Sequence, residues 1–286
     1  MLCGALALTG AAAVYRSAPA RAETAQDRFA ELEGTYNARL GVFAVGIRSP
    51  RVVAYRDGER FAMASMFKAY VAACVLNGVD HGRWRLDTAV SVTAGDILPN
   101  SPVTEQAIGA TLTMGQLCEA TLQLSDNAAA NLLLRALGGP AAITDFAREI
   151  GDEQTRLDRW EPELNSAIPG DPRDTTTPAA FGSGLRALLA GPALSTPSRE
   201  QLVTWMRGTK TSDTRIRAGL PPGWTSADKT GTGDYGTTND AGMVLNALGP
   251  QFILVVLSDS RAGDPDAAAL TPLIAEATKV VVTEFA

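Results

Sequence analysis

Four short stretches of this 286-residue sequence combine nucleophilic, basic and amide side chains at spacings that could support chemistry. The first is Ser65-Met66-Phe67-Lys68, where a helix would put the serine and lysine side chains on one face because they lie three residues apart. At a helix N-terminus the serine amide is free and could stabilise an oxyanion, and a buried lysine has a depressed pKa. This stretch therefore predicts a serine nucleophile with a lysine beside it as proton acceptor.

The second stretch is Ser125-Asp126-Asn127. It could place a hydroxyl and a carboxamide across a cleft from Ser65, where one would relay protons and the other would bind a substrate amide. A helix N-cap is the alternative, since Ser and Asp are common N-cap residues, and the three residues alone favour the cap.

The third stretch is Lys229-Thr230-Gly231-Thr232, in a segment that reads as a strand. An edge strand that carries a lysine and two hydroxyls can hold a substrate carboxylate. The glycine lets another backbone approach closely, and the backbone amides can complete an oxyanion hole.

A glycine pattern overlaps the third stretch, with Gly231, Gly233 and Gly236 in the spacing of a dinucleotide-binding fingerprint. That fingerprint requires a helix directly behind it. Because residues 239–246 read as a strand, we do not expect a dinucleotide site.

The fourth stretch contains Glu161 and Asn165, four residues apart in a segment without periodicity. A carboxylate and a carboxamide at this spacing in a rigid loop can hold a water molecule between them. Arg159 and Asp174 flank the pair and could close the loop. A surface loop with incidental charges is the alternative, and these residues alone leave both open.

Composition narrows the chemistry further. The only histidine, His81, lies beside a glycine in an expected loop, which argues against Ser-His-Asp triads, Cys-His dyads and His-rich zinc sites. Only four of the 25 basic residues are lysines, yet Lys68 and Lys229 are two of them, and lysine can lose its proton where arginine cannot. We expect a Lys, Glu or Asp base and neither metal nor cofactor. The net charge of −6 argues against a nucleic-acid partner.

The beginning of the chain reads as an export signal over residues 1–22. It has an apolar stretch from Leu2 to Val14 and an A-x-A cleavage motif at residues 20–22. We therefore expect an exported protein, in the periplasm, in the cell envelope or secreted. No apolar run elsewhere is long enough to span a membrane. Removal of the signal would leave Cys74 and Cys118, which could form a disulfide in an exported protein.

Periodicity and turn residues place strands near both ends of the chain and helices between them. The predicted strands are 40–47, 52–55, 225–230, 240–245 and 252–258. The predicted helices are 65–76, 113–123, 126–137, 140–150, 178–189, 198–207 and 266–284. This order predicts an α/β (α+β) fold in which residues 23–62 and 208–286 form an α/β domain around an inserted all-α domain, residues 63–207. The long irregular stretch, about 156–174, is of a length that is usually functional.

Taken together, the four stretches resemble the S-x-x-K, S-D-N and K-T-G motif set of the class A serine β-lactamases, with the loop glutamate between them. The motif serines lie 60 residues apart, Glu161 follows 36 residues later, and Lys229 a further 68. The resemblance covers residues 23–286. It implies an antiparallel sheet with flanking helices, a monomer, small-molecule β-lactam antibiotics and inhibitors as partners, and an Ω-loop at about 156–174.

By this resemblance Ser65 is the nucleophile, Lys68 is a proton acceptor beside it, and Ser125 passes a proton to the leaving nitrogen. Glu161 activates the deacylating water, and whether Lys68 or Glu161 takes the serine proton is disputed for the family. The implied substrate-binding residues are Asn127, Asn165, Lys229, Thr230, Gly231, Thr232 and Arg215. The implied oxyanion hole is the amides of Ser65 and Thr232, and the implied supporting residues are Asn131, Arg159 and Asp174.

The sequence departs from the family pattern at three places. Cys74 lies nine residues after the nucleophile rather than the family's seven, which turns its side chain by about 200° on a helix, so we expect free, buried thiols. Asn100 stands where many members carry an aromatic residue, which predicts weaker substrate packing. Ala64 and Gly233 stand where some carbapenem-hydrolysing members carry a cystine. Like the family, the chain is expected to have a cis bond before Pro162.

Two related functions share part of this pattern. A penicillin-binding transpeptidase or carboxypeptidase has the serine, the lysine and the K-T-G stretch but deacylates β-lactams slowly. A β-lactam sensor acylates once and stays loaded, and it is usually tethered to a membrane. Glu161 with Asn165 is the feature that favours a hydrolase over both.

Overall fold

The computed structural model describes residues 24–285, so the predicted export signal lies outside the described residues. Five strands form one antiparallel sheet in the order β2-β1-β9-β8-β7. The strands from the beginning of the chain are β1 (Ala38–Gly46) and β2 (Val52–Tyr55), and those from its end are β7 (Thr225–Thr232), β8 (Thr238–Asn246) and β9 (Gly249–Ser260). This confirms the predicted class, with a sheet built from both ends of the chain.

Successive side chains on a strand point to opposite faces of the sheet, and each face packs in a separate hydrophobic core. On β9, Phe252, Leu254 and Val256 pack with α1 (Ala25–Tyr36) and α9 (Thr271–Phe285). The residues between them on β9 belong to the other core, which contains the inserted helices. Because both faces of this strand are covered, its central residues are continuously apolar and buried.

The inserted segment is mainly helical. Its helices are α2 (Lys68–Asp80), α3 (Met114–Gln123), α4 (Asn127–Leu137), α5 (Pro140–Glu149), α6 (Pro178–Leu189) and α7 (Thr196–Arg207), and the short α8 (Ile216–Gly219) follows. Helix α2 is buried along most of its length, as a helix that is apolar on all sides must be. Tyr70 anchors it by stacking on Phe181, with ring centroids 4.8 Å apart, and by donating to Asp152 Oδ2 at 2.7 Å.

Several elements differ from the sequence prediction. Helix α1 was not predicted, although its capping box of Thr24 and Asp27 is a recognisable signal. The predicted helix 65–76 begins with a 3-10 turn, Ala64–Phe67, and continues as the regular helix α2 to Asp80. Helix α9 begins at Thr271 rather than at 266, because Pro272 fits only the first turn of a helix.

Two short ladders complete the fold, and neither was predicted. Strand β3 (Phe61–Ala62) pairs with β6 (Thr175–Thr176), and β4 (Ala89–Ser91) pairs with β5 (Thr111–Thr113). Runs of two or three residues are too short for a periodic signal. The β3–β6 ladder ties the end of the Ω-loop to the segment that leads to Ser65.

A glycine on β1 leaves room for this segment. A Cβ on Gly41 would lie 2.6 Å from Cε2 of Phe61 and 2.8 Å from Cγ of Pro178. We predict that Gly41→Ala lowers the free energy of unfolding by about 2 kcal/mol through overpacking, measured by urea denaturation. Gly34→Ala is the control, because no atom lies within 4 Å of its added methyl on α1, and it should raise stability by about 0.5 kcal/mol. Equal stabilities for Gly41→Ala and wild type would contradict the packing described.

Candidate active site

The backbone of the segment that carries Ser65 is held by contacts with the sheet. Asn239 Nδ2 donates to the carbonyl oxygens of Ala62 at 2.9 Å and Met63 at 3.1 Å. A Cβ on Gly231 would lie only 2.5 Å from the carbonyl oxygen of Met63, so glycine is required where β7 passes this segment. Ala64 has a left-handed backbone with φ 45°, which is strained for a residue with a side chain.

The ammonium of Lys68 is at the centre of the site. Its Nζ lies 2.9 Å from Ser65 Oγ, 2.9 Å from Glu161 Oε1 and 2.6 Å from Asn127 Oδ1. It also lies 2.8 Å from the carbonyl oxygen of Ser125 and 3.3 Å from the Ser125 hydroxyl. Ser65 Oγ lies 3.3 Å from Glu161 Oε1. The hydroxyl of Ser65 therefore touches two groups that can accept its proton.

Burial controls the charge on both lysines of the site. Loss of hydration lowers the pKa of Lys68, and the neighbouring Glu161 carboxylate opposes that shift. The pKa of Lys229 lies well below its usual value, first because of burial and then because Lys68 and Arg215 add positive charge nearby. The predicted depression of the pKa of Lys68 is confirmed in direction.

The Ser125-Asp126-Asn127 stretch contains the predicted helix cap and also faces the site, whereas its roles in proton relay and substrate binding stay predictions. Asp126 is the N-cap of α4 and accepts from the amide of Ala129 at 2.8 Å. Ser125 has φ 58°, and this turn directs its hydroxyl to Lys229 Nζ at 3.0 Å. Asn127 faces the site through its contact with Lys68 and donates to the Pro99 carbonyl at 2.9 Å.

The Ω-loop is held at both of its ends. Asn131 on α4 donates to the Glu161 carbonyl oxygen at 2.8 Å and accepts from the Glu161 amide at 3.1 Å. Arg159 Nε lies 2.6 Å from Asp174 Oδ2, and the other oxygen of this buried carboxylate accepts from the amides of residues 158 and 159. The bond before Pro162 is cis, as predicted.

Asn165 lies next to Glu161 on the same loop. Its Nδ2 donates to Glu161 Oε2 at 2.5 Å, and its Oδ1 is buried without a hydrogen-bond partner among the described residues. The backbone carbonyl of Asn165 accepts from the amide of Asp234 at 2.9 Å, which ties the loop to the end of β7. A carboxylate and an amide oxygen are thus placed beside Ser65.

Strand β7 supplies the opposite wall of the site, and it lies at the edge of the sheet as predicted. Arg215 Nη1 donates to the carbonyl oxygens of Gly231 at 2.8 Å and Asn239 at 2.7 Å, and its Nη2 donates to Thr232 Oγ1 at 2.6 Å. Thr230 Oγ1 lies 2.6 Å from the hydroxyl of Thr211. The hydroxyls of Thr230 and Thr232 and the cationic side chains of Lys229 and Arg215 therefore lie together on this wall.

These walls enclose a cavity of about 350 Å³. Its lining includes seven of the predicted site residues: Ser65, Ser125, Asn127, Asn165, Arg215, Thr230 and Thr232. A larger cavity, of about 510 Å³, lies behind residues 167–175, and Arg159 is the only predicted site residue that lines it. We assign the chemistry to the smaller cavity because Ser65 lines it, and Lys68 and Glu161 contact the hydroxyl of Ser65.

Sequence reasoning missed several residues of the site. Thr211 lines the cavity, Asn239 holds the serine segment, and Asp126 binds the loop before α3 through three contacts to residues 103 and 104. Thr211 could have been found from the sequence, because it lies in a run of four polar residues, Thr209-Lys210-Thr211-Ser212. The other two act through contacts between distant parts of the chain, which no local pattern reveals.

The remaining predictions concern single residues. Cys74 and Cys118 are free, as predicted, and Cys118 is buried while Cys74 is only partly so. Burial raises the pKa of the Cys74 thiol to about 11. His81 is exposed at the end of α2. Asn100, with φ 60°, donates to the Ser125 carbonyl oxygen at 3.0 Å at the mouth of the cavity.

Residues 24–285 contain neither a membrane-spanning helix nor a clustered metal site. No helix in this range is both long and apolar enough to cross a membrane. No group of three or more His, Cys, Asp or Glu side chains in the same range is arranged to hold a metal ion.

A buried serine, a lysine with a lowered pKa and a carboxylate within one hydrogen-bonded group are an arrangement that can support acyl transfer to the serine. Residues 24–285 match the family described as the Beta-lactamase enzyme family. The chain is 48% identical over 282 residues to a β-lactamase of Streptomyces fradiae, covering 97% of this chain and 92% of that one. It is 45% identical over 279 residues to a β-lactamase of Mycobacterium tuberculosis, covering 96% and 89%.

Solved structures agree with these relatives. The class A β-lactamase of the last common ancestor of Gram-negative bacteria has a TM-score of 0.87 at 50% identity, covering 92% of this chain and 99% of that one. A β-lactamase from Desulfarculus baarsii has a TM-score of 0.87 at 45% identity, covering 90% and 95%. The chain belongs to the β-lactamase enzyme family, as a class A member.

Asp126 provides a test of how the site is built. Its carboxylate receives four hydrogen bonds, from Ala129, Val103 and, twice, Thr104. We predict that Asp126→Ala lowers the free energy of unfolding by at least about 3 kcal/mol, because it leaves buried donors unpaired. Thermal and urea unfolding measure this.

Asp171→Ala is the matched control for Asp126→Ala. Asp171 pairs with Arg173 at 2.7 Å on the exposed part of the Ω-loop, and such pairs contribute at most about 1 kcal/mol. A loss of stability in Asp126→Ala no larger than in this control would contradict the role given to Asp126.

Proposed function

We propose that this class A β-lactamase hydrolyses the lactam amide of penicillins and cephalosporins through an acyl-enzyme on Ser65, which a water activated by Glu161 then releases. The observation that carries the proposal is the position of the Ser65 hydroxyl, 2.9 Å from Lys68 Nζ and 3.3 Å from Glu161 Oε1. A nucleophile with bases on two sides can be deprotonated for attack and later approached by a deprotonated water.

In the acylation step, Ser65 Oγ attacks the lactam carbonyl carbon and its proton passes to a neighbouring base. Lys68 is suited to accept it because burial lowers its pKa, so its ammonium loses a proton more readily than that of an exposed lysine and the resulting amine can act as a base. Glu161 is in contact with both groups, so the proton can also reach it directly. Either path ends with the serine oxygen bonded to the carbonyl carbon.

As the carbon–nitrogen bond breaks, the leaving nitrogen needs a proton. We assign its delivery to Ser125, whose hydroxyl oxygen lies 3.3 Å from Lys68 Nζ and 3.0 Å from Lys229 Nζ. Because both ammonium groups can donate to this oxygen, its own hydrogen is free to point into the cavity. The proton that it gives up is replaced from Lys68.

Substrate binding is assigned to the β7 wall. The amides of Ser65 and Thr232 would stabilise the oxyanion, and Asn127 with Asn165 would bind the acylamide side chain. Lys229, Thr230, Thr232 and Arg215 would bind the substrate carboxylate. Gly231 allows the strand to approach the nucleophile closely.

In the deacylation step, a water between Ser65 and the Ω-loop would give a proton to Glu161 and attack the ester carbonyl. The bond between the carbonyl carbon and Ser65 Oγ would then break, and Glu161, 3.3 Å from that oxygen, would return the proton to it. The unpartnered Oδ1 of Asn165 supports this, because it offers a second acceptor beside the carboxylate. Asn131 and the Arg159–Asp174 pair would keep Glu161 in position. A penicillin-binding peptidase or a β-lactam sensor would acylate without this step.

We also propose where and in what form the enzyme acts. The apolar start of the chain supports export to the periplasm or cell envelope, or secretion, where β-lactam hydrolysis would confer resistance. The proposed steps use only protein side chains and water as nucleophile, acid and base, so they need neither metal nor cofactor, and we propose that the enzyme acts as a monomer. Residues 63–207 would be the helical domain, and residues 23–62 and 208–286 the α/β domain.

The role of Glu161 predicts a trapped intermediate. Glu161→Ala should acylate with a penicillin but lose deacylation by about 10³-fold or more, since it removes the base that activates water. Intact-protein mass spectrometry should show a stable adduct of one penicillin mass. Glu163→Ala, an exposed neighbour on the same loop, should turn over as wild type. No adduct in Glu161→Ala would count against its role as deacylating base.

The nucleophile is tested separately. Ser65→Ala should form no covalent adduct with a penicillin, because the attacking oxygen is absent. The same mass measurement checks this, with Ser183→Ala on the exposed face of α6 as the control that acylates normally. An adduct that persists in Ser65→Ala would place the nucleophile elsewhere.

A further inference from the structure

Two buried carboxyl groups lie side by side behind the β7 wall. Asp228 on β7 is opposite Gly242 of β8, and Thr230 is opposite Asp240. The two aspartates are therefore diagonal neighbours on one face of the sheet. Neither is exposed, and Gly242 places no side chain between them.

Each carboxyl group has one oxygen that is hydrogen-bonded and one that is not. Asp240 Oδ2 accepts from Ser212 Oγ at 2.7 Å and from the amide of Ile216 at 3.2 Å, and Asp228 Oδ2 accepts from Ser226 Oγ. The Oδ1 atoms of both aspartates are buried and have no hydrogen-bond partner within residues 24–285. One proton between two carboxyl groups would turn an acceptor into a donor and reduce their repulsion.

The charged groups around the pair come from three elements. Arg217 on α8 has its Nε 3.8 Å from Asp228 Oδ2, and Arg215, at the start of α8, and Lys229, on β7, act on Asp240 through their charges. On the helices behind, Glu276 and Lys279 of α9 pair with each other at the surface, and Asp213 pairs with Arg217 at 3.4 Å.

Burial raises the pKa of both carboxyl groups by more than the neighbouring cations lower it. Burial first, and then the charge of Asp240, raise the pKa of Asp228 to about 8 against the lowering by Ser226 and Arg217. Burial raises the pKa of Asp240 as well, against the lowering by Ser212 and Arg215. This agrees with the unpartnered oxygens, which would be costly to bury on two full carboxylates.

We propose that Asp228 and Asp240 hold one proton between them near neutral pH, and that this proton sets how strongly Arg215 and Lys229 attract the substrate carboxylate. The inference rests on the proposed function, in which those two cations bind that carboxylate. With the proton in place the pair carries one negative charge. Once the proton leaves, a second negative charge lies behind the binding wall and weakens its attraction for an anion. Both aspartates are positioning residues, since they act through the cations.

Steady-state kinetics test the proposal. We expect KM for benzylpenicillin in the wild type to rise about fivefold between pH 7 and pH 9 at constant ionic strength, with a smaller change in kcat. Asp228→Asn and Asp240→Asn each leave one ionised carboxylate beside a neutral amide, which copies the protonated pair. Both should keep the wild-type KM near pH 7 and lose the rise. Asp213→Asn, which also contacts Arg217 but is exposed, should retain it.

A second measurement covers the case in which a variant folds poorly. A carboxyl group whose folded pKa is raised takes up a proton on folding, so its contribution to stability is lost as the pH rises from about 4 towards 8. The wild type should therefore lose thermal stability relative to Asp228→Asn or Asp240→Asn between pH 5 and pH 8.5. Parallel melting curves over this range would contradict the shared proton.

Three kinetic outcomes would overturn the account in different ways. A flat KM in an active wild type would contradict the proposal. A rise that persists in both asparagine variants would assign the effect to Lys229 instead. An absence of β-lactam turnover in the wild type would contradict the proposed function, and the melting curves would then decide alone on the shared proton.

Discussion

The burial of the Lys68 ammonium is the constraint on which the rest of the site depends. A charge taken fully out of water costs several kcal/mol unless oxygen atoms replace its hydration. Five oxygens lie within 3.3 Å of Nζ, and they come from the serine segment, the turn before α4, the first residue of α4 and the Ω-loop. Each of these elements must be held in place for the lysine to be tolerated, and the same contacts bring nucleophile, proton relay and carboxylate together.

Strained backbone at the site is held by the structure around it. Ala64 and Ser125 have left-handed φ values of 45° and 58°, which cost free energy for residues with a Cβ. The contacts of Asn239 to the serine segment and of Asp126 to the loop before α3 hold these conformations in place. Removing the supports would let Ser65 and Ser125 relax away from the lysines. Both the sheet and the helical insert therefore hold the geometry of the site.

The sequence was sufficient to predict the class of fold and most of the site because both are encoded locally. Short continuous apolar runs mark β1, β8 and β9, and the four motif stretches carry the reactive side chains in short runs. Features that depend on distant contacts were not predictable, such as Asn239 under the serine segment or Asp240 beside Asp228. The 3-10 helix at Ser65 was also missed, because its apolar residues fit a regular helix equally well.

A hydrolase differs from a protein that is only acylated in one step, the release of the acyl group by water. In our account the Glu161 carboxylate activates that water. We would incubate the purified protein with a chromogenic cephalosporin in large excess, in buffer that contains a chelator, and follow product per enzyme. Our account predicts turnover far beyond one equivalent, unaffected by the chelator. A burst that stops near one equivalent would leave the Ser65 chemistry intact but contradict the deacylating role of Glu161.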